Sequence, residues 1–229
     1  MKKIIIIILT LLLLNGCTNS TDNYQKASHQ DLFDQIQFKD YKNIMIVAHP
    51  DDEAIWGGMH LLKDKYLVIC LTNGDNQTRA KEFNEVIKQT SGAGIILDYP
   101  DKVDGKRDDW SKVKANIKND LYYLLSNQKF DNIVTHNPKG EYGHEHHKMT
   151  CEIVTDISKD LKVTDKLFYF GKYYKKSNPL LSMMKPTYDE KLLKQKKELL
   201  KKYISQETVC DHLQHMFPYE NWISYANWH

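Results

Sequence analysis

Short, uninterrupted apolar runs recur along this chain, and most are followed by a stretch whose apolar residues fall at helical spacing. No other feature restricts the fold as much. Ile44 to Ala48, Tyr66 to Thr72, Ile95 to Leu97 and Leu167 to Phe170, with Phe130 to Thr135 broken only at Asp131 and Asn132, are too short to cross a membrane. They also lack the polar alternation of a half-exposed strand, so each reads as a strand covered on both faces. Between and after them, residues 54–62, 78–90, 110–125, 144–157 and 189–203 read as helices. In the second of these Ala80, Phe83, Val86 and Ile87 share a face, and in the third the apolar positions are 110, 113, 117, 121 and 124. Gly92 and Gly94 end the second helix. Strands alternating with helices form βαβ units, so residues 41–229 are expected to fold as a single α/β domain with a mostly parallel sheet flanked by helices. In such sheets the ligand site lies beyond the carboxyl ends of the strands.

The amino terminus has a different character. Met1-Lys2-Lys3 precedes an apolar run from Ile4 to Leu14 broken only by Thr10, the pattern of an export signal rather than a full span. The run closes on Leu14-Asn15-Gly16-Cys17, which resembles the lipobox of bacterial lipoproteins, with cleavage before Cys17 and diacylglycerol on its sulfur. Residues 1–16 are therefore expected as a signal peptide and 17–40 as a lipid-anchored tether. The domain is then expected on the outer side of the cell membrane.

Charge excludes one class of partner. Lys and Arg number 32 against 30 Asp and Glu, and Lys2 and Lys3 lie in the leader. The exported portion is balanced, with no basic excess to suggest nucleic acid. The Lys-rich stretch 191–202 reads as a solvated helix face. Four cysteines occur, at 17, 70, 151 and 210. With Cys17 assigned to lipid, an odd number remains without CxxC spacing, and nothing requires a Cys151–Cys210 bridge.

Two motifs carry chemistry, and both fall at strand ends. Ala48-His49-Pro50-Asp51-Asp52-Glu53 follows the first strand, and Gly143-His144-Glu145-His146-His147 follows the strand ending at Thr135. The Pro50 turn can aim His49 and Asp52 together, and His144 and His147 are three residues apart, on one helical face. Imidazole, carboxylate and imidazole suit zinc. Three protein ligands leave a coordination position open, as a hydrolytic zinc requires, and a spare carboxylate and a donor can serve as base and oxyanion stabiliser.

His49-Pro50-Asp51-Asp52-Glu53 with His144-x-x-His147 resembles the LmbE-like, or PIG-L, family of zinc-dependent N-deacetylases. The likeness extends over residues 42–206. It includes Thr72-Asn73-Gly74 with Arg79-x-x-Glu82, Tyr99-Pro100-Asp101, Asn137-Pro138-x-Gly140-Glu141-Tyr142-Gly143-His144, and Tyr203-x-Ser205-Gln206. The resemblance implies a Rossmann-like three-layer fold and removal of acetyl groups from N-acetylglucosamine units in glycosides, glycolipids or polysaccharides. It implies one zinc ion (Zn2+) per chain on His49, Asp52 and His147, other divalent ions being acceptable to such donors. It also implies Asp51 as general base, His144 at the oxyanion or leaving amine, and Arg79 and Asp101 facing the sugar. One departure is that His146 stands where the family commonly has an acidic residue. With the export signal, the expected substrate is an extracytoplasmic N-acetylated glycan or glycolipid. Two other readings are a non-catalytic glycan-binding lipoprotein of the same fold, and a binuclear metallo-hydrolase built on the His144-x-His146 pair. His136 reads as a polar rim residue, His60 as a helix-surface residue, and His212, His215 and His229 as solvated imidazoles in an aromatic carboxyl-terminal tail.

Overall fold

The computed structural model describes residues 25–229. The signal peptide, Cys17 and the first residues of the expected tether lie outside the described residues. In chain order the elements are α1 (Gln30–Phe33), β1 (Asn43–Val47), α2 (Asp52–Lys63), β2 (Tyr66–Thr72), α3 (Gln77–Ile87) and β3 (Ala93–Tyr99). The short strands β4 (Lys102–Val103) and β5 (Lys106–Arg107) follow, then α4 (Lys114–Asn127), β6 (Asn132–Thr135), α5 (Gly140–Gly143) and α6 (Glu145–Asp160). The chain ends with β7 (Leu167–Tyr169), α7 (Glu190–Leu200), α8 (Glu207–Leu213) and β8 (Ile223–Ser224).

Six strands form one sheet in the order β3-β2-β1-β6-β7-β8. Every neighbouring pair is parallel except β7 with β8. The sheet is mostly parallel and flanked by helices, as the apolar runs predict. Register shows why those runs are continuous. Ile44 and Ile46 of β1, with Ala48 beyond it, point to the side packed by Ile117 and Leu121 of α4 and Ile153 and Ile157 of α6. Met45 and Val47 point to the other side, against Trp56 of α2, Phe83 of α3 and Leu200 of α7. Each such side chain, fully buried, contributes about 1.5–3 kcal/mol. Substituting a polar residue on either face would therefore cost core burial.

Two departures have local causes. The expected helix at 110–125 begins instead at Lys114, because Trp110 adopts a left-handed φ of 54°. Trp110 is fully buried, and its Nε1–H donates to the Pro100 carbonyl at 2.8 Å, tying down the loop that carries Asp101. Residues 102–107 form a hairpin whose turn residues Asp104 and Gly105 have φ of 51° and 76°. Asp-Gly in this geometry is the favoured two-residue hairpin turn; the signal stands in the sequence and escapes a search for long apolar runs.

Residues 25–40, expected as part of a tether, pack onto the domain instead. Phe33 is fully buried and stacks on Tyr123, and the Gln25 N–H donates to Asn119. A single helical turn has no periodicity to reveal it. The segment is pinned by His29, whose ring lies 2.5 Å from Asp120 and 2.9 Å from Asp98. The hydrogen bond to Asp120 raises the His29 pKa above the usual 6.5 despite partial burial. Because the folded pKa is the higher one, this contribution is fully present below about pH 6.5 and lost as pH rises through the raised value. The Tm difference between wild type and His29→Gln is accordingly expected to be larger at pH 6 than at pH 9. An equal difference at both pH values would count against the ion pair.

The carboxyl-terminal segment returns to cover α2. Trp222 stacks on His60 with ring centroids 3.5 Å apart and donates to the Trp56 carbonyl. His60, expected at the helix surface, is thus sandwiched, with Nδ1 2.7 Å from Glu220. His212 and His229 are exposed, while His215 is half-buried with Nε2 2.9 Å from the Tyr174 carbonyl. Cys70, Cys151 and Cys210 are buried and free, so the bridge left open by the sequence is not formed.

Candidate metal centre and catalytic cup

The carboxyl ends of β1 and β6 bring the two motifs together. The chain leaves β1 through Ala48, whose N–H donates to His136 Nε2 and whose carbonyl accepts from the Thr72 hydroxyl at 2.8 Å. His49 is then held by its own backbone N–H, which donates to Asp52 Oδ2 at 2.9 Å. Asp51 precedes α2 with a φ of 121°, a conformation that costs a non-glycine residue on the order of 1–3 kcal/mol and clusters at functional sites. The second motif begins with His144 at the extended N-cap of α6, not within the helix as expected, and His147 lies in its first turn. Their rings still stack, with centroids 4.3 Å apart.

The donor atoms converge. His49 Nδ1 lies 3.2 Å from Asp52 Oδ2, and His147 Nε2 lies 3.3 Å from Asp52 Oδ1. Ligand atoms of His49, His144 and His147 lie within 4.8 Å of one another, as do those of Asp52, His136 and His147. Burial pushes the Asp52 carboxyl up, yet His147 and His136 together hold it well below the carboxylate range. Burial opposes protonation of His147, but Asp52 and Glu141 raise it to about 10. A buried carboxylate pair that raises an imidazole so far marks a spot demanding positive charge, the demand a divalent cation meets. His144 Nδ1 is buried without a hydrogen-bond partner, and burial, followed by His147 and His49, lowers the ring to about 2. Imidazoles converging on an ionised carboxylate are a suitable donor set for zinc or a similar ion. The residues present fit a metal.

A supporting layer holds these groups, and sequence reasoning missed most of it. His136, expected on a polar rim, is wholly buried. Its Nε2 accepts from the Ala48 N–H, so its Nδ1 donates to Glu141 Oε2 at 3.0 Å. Glu141 also faces His147 Nδ1 at 2.5 Å, which orients His147 Nε2 towards Asp52. A carboxylate behind an imidazole fixes the orientation of the ring, and here a strained Glu141 (φ 51°, ψ −86°) supplies it. His146, in the position expected to be acidic, donates from Nε2 to the Asp108 carbonyl at 2.7 Å and stacks on Trp110. Its Nδ1 therefore faces His49 Nε2 as an acceptor, 3.1 Å away.

Asp51 is buried but stands outside the donor groups. Burial, then Asp52, raises its pKa well above the usual value, against the pull of Arg79. The Arg79 guanidinium donates to the Pro50 carbonyl and lies 3.6 Å from Asp51 Oδ2. It does not pair with Glu82, which accepts from Ser205 instead. Asp101 lies 3.3 Å from His49 Nε2 and pairs with Arg107 of the hairpin. Arg107 Nη1 is itself 3.2 Å from His49 Nε2. His49, Asp101 and His146 form a third convergent group, but a guanidinium already neutralises Asp101 there. The cup so formed has a volume of about 260 Å³ and is lined by His49, Asp51, Asp52, Arg79, Tyr142 and His144 among others.

Comparison with known proteins agrees with the likeness seen in the motifs. The family model described as PIG-L, GlcNAc-PI de-N-acetylase, matches residues 44–158, from β1 almost to the end of α6, and so covers both motifs. An uncharacterized protein of Acanthamoeba polyphaga mimivirus is 32% identical over an alignment of 132 positions that covers 50% of this chain and 57% of that protein. The match thus spans little more than half the length of that relative. With half of its residues matched by the family model, including every member of the convergent donor set, this chain belongs to the PIG-L family.

Proposed function

We propose that the protein is a metal-dependent hydrolase that removes N-acetyl groups from N-acetylglucosamine-type sugars of an extracytoplasmic glycan or glycolipid. The observation that carries this reading is Asp51: a buried, strained carboxylate with a raised pKa, beside a metal-binding donor set and not part of it. Binding a sugar or a metal needs no such group; hydrolysis does.

His49, Asp52 and His147 hold the metal, with zinc the best match to two imidazoles and a carboxylate. When bound, the metal supplies Lewis acidity, polarising the amide carbonyl and acidifying water. Asp51 takes the proton of the attacking water at its carboxylate oxygen and later delivers it to the departing amine. Burial and the neighbouring Asp52 make Asp51 a stronger base than a free carboxylate, and Arg79 keeps it aimed. His144 stays neutral and donates a hydrogen bond to the oxyanion. Asp101 accepts sugar hydroxyls, and Arg79 contributes to the same wall. Cys17 carries the lipid that keeps the enzyme on the outer face of the cell membrane, supported by the leader ahead of it.

The test is acetate release from a panel of N-acetylated glycans by the full chain purified in mild detergent. One metal ion per chain is expected, with activity lost on chelation and restored by zinc. Two ions per chain would favour a binuclear site that includes Asp101 and His146. Absence of acetate from every N-acetylated sugar, with sugar binding intact, would favour a glycan-binding protein of the same fold.

A further inference from the structure

The catalytic cup is contiguous with a larger cavity of about 950 Å³. The two share Arg79, Asp101, Lys102 and Gln206, which stand at their junction. Beyond the junction, segments remote in sequence supply the walls of a trough. Asp75 comes from the turn into α3 and Thr78 from its first helical turn, Asp98 and Val103 from β3 and the hairpin, and Ser205 from the turn before α8. The turn into α3 is anchored on β3, with the Gly74 N–H donating to the Leu97 carbonyl at 2.8 Å. A side chain at Gly74 would meet that same carbonyl, so the turn is fitted to the sheet.

Size and lining together identify the kind of occupant. Pockets for drug-sized ligands run to about 300–1,000 Å³ and are lined mainly by apolar side chains. This trough is at the upper end of that range with the opposite lining. Ten of its twelve lining residues carry amides, carboxylates, hydroxyls, a guanidinium or an ammonium, and only Pro100 and Val103 are apolar. An acyl chain would find little apolar wall there, whereas a chain of hydroxyl and amide groups would meet donors and acceptors on several sides. The reacting sugar occupies the cup, so the trough is left for whatever is joined to that sugar.

We propose that the trough binds the sugar units flanking the one in the cup, which makes the substrate an N-acetylated oligosaccharide or polymer rather than a lone sugar or a glycolipid headgroup. This rests on the deacetylase reading above. Binding energy from non-reacting units then serves to position the scissile amide.

Acetate release by the zinc-loaded full chain is to be measured on N-acetylglucosamine, its linear oligomers up to four units, and its octyl glycoside. The kcat/KM is expected to rise at least about tenfold from monomer to tetramer, the equivalent of one or two net hydrogen bonds, with no comparable gain for the octyl glycoside. Thr78 is exposed in the first turn of α3, where Thr78→Trp would narrow the trough without disturbing the core. It is expected to lower the tetramer-to-monomer ratio about tenfold. Equal kcat/KM for monomer and tetramer, a ratio unmoved by Thr78→Trp, or preference for the octyl glycoside would overturn the trough while leaving deacetylation intact. If no sugar releases acetate, the deacetylase reading fails, and calorimetric binding of the tetramer decides the trough separately. Binding weakened by Thr78→Trp supports it, and no binding overturns it.

Discussion

Asp51→Asn is expected to lower kcat by about 10²–10⁴-fold, the usual contribution of a positioned general base, while one metal ion per chain stays bound. The substitution keeps the shape of the side chain and its place before α2. What it removes is the ability to accept a proton. Arg79, 3.6 Å from Asp51, cannot substitute as a base. Metal content should survive because the proposed ligands are His49, Asp52 and His147, and Asp51 belongs to none of the convergent groups. The contrasting variant is Asp52→Asn. It removes the charge that holds His147 and faces His49 Nδ1, so it should lose metal and activity together. Metal analysis beside single-turnover acetate release separates the two. If Asp51→Asn retained wild-type kcat, the assignment of Asp51 as base would fall. If it lost the metal as well, Asp51 would belong among the ligands.

The second large effect lies far from the cup. Lys196 is fully buried in α7, and its Nζ donates to the Ile55 and Phe217 carbonyls and to Glu220 Oε1 at 2.6 Å. Glu220 also accepts from the Met59 and His60 backbone N–H groups, so one carboxylate joins α2, α7 and the carboxyl-terminal segment. Burial pushes the Glu220 carboxyl up, and Lys196 and His60 outweigh it. Glu220→Ala leaves the ammonium without a counter-charge in the core. Breaking a buried pair from one side costs about 3–5 kcal/mol, which for a domain of this size lowers Tm by about 10 °C. The double variant Lys196→Met with Glu220→Ala should recover part of that loss, since an apolar side chain of similar length replaces the stranded charge. A Tm for Glu220→Ala within a degree of wild type would show that the pair does not support the fold.

How much of this was legible in the sequence depended on the range of the interaction involved. The continuous apolar runs specify strands buried on both faces, because a parallel sheet sandwiched by helices is the arrangement that buries every residue of such a run. Amphipathic spacing identified α3, α6 and α7 for the same reason: the pattern is local and records which face is covered. The HPDD and HxxH residues could be named because their spacing and their positions after strands are local too. Phe33, His29 and the single turn of α1 could not be found this way, since three or four residues carry no period. The hairpin at 102–107 had a local signal in Asp104-Gly105 that apolar runs do not register, and with it Arg107 was overlooked.

The roles of the neighbouring groups required the folded chain. Spacing puts Glu82 within reach of Arg79, but the fold gives the guanidinium the Pro50 carbonyl and Asp51 instead. His136 and Glu141 are unremarkable polar residues until β6 ends beside β1 and stacks them under His147. His146 looked like a defect in the second motif, yet the fold gives its ring a carbonyl, a tryptophan face and His49 as neighbours. The trough is assembled from three segments that approach one another only in space, so it has no sequence signature. Local spacing alone was enough to specify the alternating elements and to place the HPDD and HxxH motifs at strand ends, because both are written in neighbouring residues. Tertiary structure alone decided burial, partner choice and charge state, because desolvation and Coulomb interactions depend on distances between residues far apart in the chain.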